Sequence, residues 1–208
     1  MALTGRPAWF IPGCRHQIDE EDAVLRKLIL LLLFVPGLVL AADAEQHRDP
    51  NTGLLSWRVK EPSFSLQLVQ VLPDSVTAMY GSRGLPEELI TRVRDYCVFG
   101  TILTNDSATQ LVYRVEDWHA RTGDGRQHPV RAKTGWVEEW AAMGVPFRWS
   151  MLADEQTFEP GDWMQGFTTL KLSPDTAFDF AYSLEIGDEK HDGNIAGVRC
   201  APATPPLN

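Results

Sequence analysis

Ala177-Phe178-Asp179-Phe180-Ala181-Tyr182-Ser183-Leu184-Glu185-Ile186 alternates large apolar and small or polar side chains without a break. A period of two puts Phe178, Phe180, Tyr182, Leu184 and Ile186 on one side of a strand and Ala177, Asp179, Ala181, Ser183 and Glu185 on the other. Such a strand is half-buried, with one wet face, and belongs to an antiparallel sheet. The same period recurs upstream. Phe64, Leu66 and Leu68 alternate with Ser65 and Gln67, and Leu111, Tyr113 and Val115 with Gln110, Arg114 and Glu116, broken only by Val112. Phe147, Trp149 and Met151 alternate with Arg148 and Ser150. Further strand runs lie at 54–59, 97–104, 163–172 and 195–200. Asn105-Asp106-Ser107, Ser173-Pro174-Asp175 and Asp192-Gly193-Asn194 supply turn chemistry between runs. Strands joined by turns this short are expected as antiparallel neighbours.

Two patches change period. Pro86-Glu87-Glu88 starts a helix, with proline in the first turn and acids at the positive end of the dipole. Leu85, Leu89, Ile90, Val93 and Tyr96 then share one face. Trp136, Val137, Trp140 and Met143 make a second apolar stripe, ended by Gly144 and Pro146. Residues 74–80 add a turn before the first helix, capped by Asp74. Residues 120–135 are polar and contain glycine, which reads as a long surface loop. The fold expected is mainly β: an antiparallel β-sandwich-like domain with two short helical insertions, the alternative being an α+β sheet packed on helices.

Outside this body the chain changes character. Arg26-Lys27 precede an uninterrupted apolar run from Leu28 to Ala42, and Ala42-Asp43-Ala44 follows. A basic start, a short apolar stretch and an A-x-A site make a signal peptide over 25–44, cleaved near Ala44. The run is short for a spanning helix and carries Pro36 and Gly37, although an uncleaved leader anchoring the protein to a membrane is the alternative. Asp19, Glu20, Glu21 and Asp22 do not suit the start of a signal peptide, so 1–24 reads as an extension upstream of a start at Val24 or Leu25. The body is one domain over 45–200, and the proline-rich tail 201–208 is expected to be disordered.

Cleavage removes Cys14 and leaves Cys97 and Cys200. An even count in an oxidising compartment predicts a Cys97–Cys200 disulfide. The leader also takes four of the 19 basic and five of the 28 acidic side chains, so the mature part keeps a net charge of −8. That balance argues against nucleic acid as a partner.

Chemistry-bearing motifs are few. G-x-S-x-G, H-E-x-x-H and Gly-rich phosphate loops do not occur. Glu138-Glu139 are adjacent on a short helix and point apart, which does not make an acid/base pair. His119 and His128 are the histidines that could meet on copper or zinc, with Asp117 or the thioether of Met143, Met151 or Met164 as a further ligand. Residues 187–194 gather acids around glycine without the alternating frame of a calcium loop. Of the tryptophans, Trp136, Trp140 and Trp149 are in phase with apolar neighbours and read as core. Trp118 and Trp163 stand at element ends beside Asp117 and Asp162, and are the candidates for an exposed contact with a sugar ring or a protein.

The expectation is therefore a periplasmic or secreted binding or accessory module of the cell envelope, without enzymatic activity or a resident cofactor, meeting a protein partner. A copper- or zinc-handling protein and an envelope hydrolase are the alternatives. Membrane contact would run only through an uncleaved leader.

Overall fold

The computed structural model describes residues 44–205, so the expectations for 1–24, for the leader 25–44 short of Ala44 and for 206–208 lie outside the described residues. Among the described residues, eleven strands form two antiparallel sheets, and three helices accompany them. The first sheet runs β1 (Glu45–Arg48), β2 (Leu55–Lys60), β3 (Phe64–Val71), β4 (Cys97–Asn105), β9 (Trp163–Leu170) in spatial order. The second is built around β10 (Ala177–Ile186), the alternating stretch quoted above. One flank of β10 pairs with β11 (Glu189–Arg199), and the other with β5 (Leu111–Arg114) and β6 (His119–Thr122) in tandem. Outside these, β8 (Glu155–Phe158) pairs with β5 and β7 (Gln127–Pro129) with β6.

The tandem arrangement has a register cause. Tyr113 faces Leu184 and Ala120 faces Phe180, so seven steps along one strand match four along the other. The surplus coils into a 3-10 turn at Val115–Asp117. Trp118 then turns inward, and its indole N–H donates to the Ser183 carbonyl at 3.0 Å, satisfying a β10 group opposite the gap.

Two apolar clusters follow from which faces are covered. The larger lies between the sheets and includes Trp57, Leu66, Leu68, Phe99, Leu103, Tyr113, Trp118, Phe178, Phe180 and Ile195. The smaller lies on the outer face of the first sheet, under α1 (Pro73–Gly81), α2 (Glu87–Arg94) and α3 (Lys133–Ala142). β4 serves both: Phe99 and Leu103 face the second sheet, and Val98 faces the helices. The disulfide joins Cys97 on β4 to Cys200 just after β11, with the Cα atoms 5.3 Å apart, and so ties the sheets together. Beside it the buried Gln70 side chain accepts from the Leu55 N–H and donates to the Arg199 and Cys200 carbonyls. Ala201 is buried in the same region, so the described part of the expected tail begins inside the fold.

The antiparallel sandwich agrees with the sequence reading, and several details correct it. Three helices form rather than two, because Pro73 occupies the first turn and starts α1. Asp74 lies in that turn and does not cap it. The turns at 105–107 and 173–175 pass between sheets instead of joining neighbours. The first is held by buried Asn105, whose amide donates to the Thr109 and Phe158 carbonyls. Asp192-Gly193-Asn194 is inside β11, and the hairpin turns at Gly187-Asp188, where Gly187 takes φ 59 as the first residue of a two-residue turn. Gly193 has a different duty. It pairs with Tyr182, and a Cβ there would come within 2.2 Å of that ring. Residues 120–135 are not one loop but a β6–β7 hairpin and the start of α3.

Candidate functional site

Strand alternation assigns the outer face of the first sheet. The layer beneath the helices carries Val71, Val98 and Thr169, and the Trp136 indole N–H donates to the Thr169 hydroxyl at 2.9 Å. Next come Val69, Gly100 and Phe167. Two further rows lie beyond the helix-facing cluster: Arg58-Gln67-Ile102-Gln165 and Lys60-Ser65-Thr104-Trp163, each crossing β2, β3, β4 and β9. Trp163 ends its row 64% exposed.

A loop borders this open half. Gly144 and Ser150 both take positive φ, 76 and 77, and between them the chain leaves the extended path that the spacing of Phe147, Trp149 and Met151 predicts. Phe147 stays packed, its ring 5.8 Å from that of Tyr80 and 5.5 Å from that of Trp140. The Tyr80 and Ser150 hydroxyls share a hydrogen bond of 2.6 Å, and burial pushes the Tyr80 phenol up to about 12, so it remains neutral. The Phe167 N–H donates to the Ser150 carbonyl, and the Leu152 N–H to the Phe167 carbonyl, which clips residues 150–152 along the free edge of β9. Trp149 leaves this clip into solvent, 75% exposed. Its assignment to the core is thereby corrected: the positive φ at Ser150 breaks the alternation that would have turned it inward.

Trp149 and Trp163 are the exposed large hydrophobic side chains among the described residues, whereas Trp57, Trp118, Trp136 and Trp140 are fully buried. Trp136 and Trp140 thus sit in the core as their stripe predicts. Trp118, expected as an exposed contact, is at 0% exposure against Tyr113 and Phe180 and has no face to offer a ligand.

Charge within the two open rows is positive. Arg58, Lys60 and Arg148 are exposed and take part in no ion pair among the described residues. No acid stands in the two open rows, but Glu45 lies across from Arg58 on β1, Glu61 follows Lys60 and Asp162 precedes Trp163. By contrast Arg131 is committed to structure, 3.8 Å from the Trp136 ring centroid and bonded to Glu139. Partial burial works against the Glu139 charge, but Arg131 and Arg92 outweigh it and hold the carboxyl below its usual range. Glu139 is a helix-anchoring ion-pair partner rather than a proton donor.

His119 and His128 lie on paired strands, but His119 faces Pro129 while His128 faces Ala120. Neighbouring register positions project to opposite faces, so β6–β7 pairing keeps the two imidazoles apart. His128 Nε2 lies 3.4 Å from the Thr122 hydroxyl, and His119 Nε2 is buried without a partner. Met143 and Met151 pack in the helical cluster, whereas Met164 accepts a hydrogen bond from Tyr113 on the other side of the sheet. Among the described residues no three His, Cys, Asp or Glu side chains gather as metal ligands, and no helix is long and apolar enough to cross a membrane.

Sequence reasoning missed Trp149, Arg58, Lys60, Gln67 and Gln165 as surface candidates. For the strand residues the signal was there, since they are the polar partners in runs whose apolar partners were read as core. No protein-family model matches the chain, and neither a curated protein nor a solved structure shows significant similarity to it.

Proposed function

We propose that this chain is an exported, non-enzymatic binding module of the cell envelope, closed by its disulfide and acting through the open half of the outer sheet face. The observation that carries the reading is the division among the described tryptophans: four are fully buried, while Trp163 on β9 and Trp149, next to the segment clipped along the edge of β9, are exposed. An indole left two-thirds exposed forgoes about 2 kcal/mol of burial, which a partner seated on that face recovers. Both indoles are set on ordered supports, Trp163 in β9 and Trp149 beside the clipped segment, so little ordering entropy is spent on binding. Export is supported by the apolar run between Arg26-Lys27 and Ala42-Asp43-Ala44, and by a disulfide of the kind kept in oxidising compartments.

Co-sedimentation of the purified mature domain with envelope preparations from its host tests the reading. Wild-type protein is expected in the pellet, and W149A/W163A in the supernatant with an unchanged melting temperature. Equal sedimentation of the two proteins would refute the assigned face.

A further inference from the structure

Resting on that binding reading, we infer that the occupant of the open face is an anionic polysaccharide, lying across the strands from Trp163 towards Lys60 and Arg58. The row Lys60-Ser65-Thr104-Trp163 spans three inter-strand steps, about 14 Å, enough for a short oligosaccharide segment. Its two ends differ in chemistry. At the β9 end, the exposed Trp163 indole offers an electron-rich ring face to the polarised C–H groups of a sugar ring, the geometry its quadrupole favours. At the β2 end, Lys60 and Arg58 stand exposed and form no ion pair among the described residues, although Glu45 lies across from Arg58 on β1, and Arg58 has a planar fork that matches a carboxylate.

The middle of the face decides between a glycan and a protein. It is made of Thr104, Gln67 and Gln165 around a single large apolar residue, Ile102, with Ser65 buried in its row. Hydroxyls and amides both donate and accept, as a ligand dense in hydroxyl groups requires. The centre of a protein–protein interface is instead apolar and fully desolvated, with its anchors in the middle and charge at the rim. Here the aromatic anchor is at one end, and polar groups fill the centre. Charge selects among glycans. The mature chain carries a net −8, so a polyanion is repelled by the molecule as a whole and is held only where cations stand unpaired. Arg58 and Lys60 supply that on the floor, and Arg148, next to Trp149, supplies it at the bordering loop.

Alginate, a soluble polyuronate, and laminarin, a neutral β-glucan, are the probes, titrated against the mature domain at low salt with tryptophan emission as readout. Saturable binding of alginate is expected, weakened by added salt. W163A and R58Q/K60Q should each lower the affinity about tenfold, within the range that one aromatic contact or two exposed charge contacts supply, at unchanged melting temperature. Laminarin binding as tight as alginate, or an R58Q/K60Q variant that binds alginate like wild type, overturns the anionic assignment. Should neither glycan bind while envelope sedimentation still depends on Trp163, the glycan inference fails and the binding face stands. Sedimentation indifferent to Trp163 as well would bring down both.

Discussion

Reduction of the Cys97–Cys200 bond should cost this domain a large part of its stability, and the structure sets the size of the effect. The bond closes a loop with a sequence separation of 103 and spans the two sheets, from β4 to the residue after β11. Releasing a loop of that length returns about 4.7 kcal/mol of chain entropy to the unfolded state. Whole domains are stable by only about 5–15 kcal/mol. The reduced chain should nevertheless fold, because Gln70 still bonds the Leu55, Arg199 and Cys200 backbones and the inter-sheet core is unchanged. Both sulfurs are buried, so reduction has to be done on unfolded protein before dilution into urea series with and without reductant. With a slope of about 2 kcal/mol per molar urea, the midpoint should fall by about 2 M. C97A/C200A should fall at least as far, since it also leaves a cavity. A fall under about 0.5 M in both experiments would refute the view that this bond clamps the sheets.

Other consequences are as direct. W118A should lose about 3–5 kcal/mol, because it empties a core site and leaves the Ser183 carbonyl unpaired, whereas W163A should stay within about 0.5 kcal/mol of wild type; urea midpoints compare them. G193A should cost about 1–3 kcal/mol through collision with the Tyr182 ring, and a double-mutant cycle with Y182A should show the penalty largely relieved. Stability should fall at alkaline pH. Burial raises the Tyr80 and Tyr182 phenols from 10.0 to about 12 and raises Tyr113 too, so the folded state holds protons that the unfolded state gives up. Stability is then complete below pH 10 and is lost as pH climbs towards 12, which urea midpoints across that range can follow.

The sandwich was legible because its central strands alternate, β10 without a break, β3 from Phe64 to Leu68 and β5 apart from Val112, and each buries every second side chain. The disulfide was legible from cysteine parity. Strands β1 and β8 were not, since Glu45–Arg48 is exposed throughout and Glu155–Phe158 buries only Phe158, so pairing rather than burial holds them. Trp118 and Trp149 exchanged roles for local reasons. Three surplus residues on the tandem strand turn Trp118 inward, and a left-handed Ser150 turns Trp149 outward. Neither a register surplus nor a backbone sign change leaves a periodic trace in the sequence. Trp163 was legible as an exposed candidate from its place at a strand start beside Asp162, but its neighbours on the face come from β2, β3 and β4, and only strand order assembles them.

Oxidative footprinting of tryptophans, with and without envelope material from the host, reads the proposed contact surface residue by residue. Strong protection of Trp163 and Trp149, with Trp57, Trp118, Trp136 and Trp140 unreactive in both samples, is the pattern expected. Trp163 oxidised as fast in the mixture as in the free domain would contradict the claim that this face is where the molecule binds.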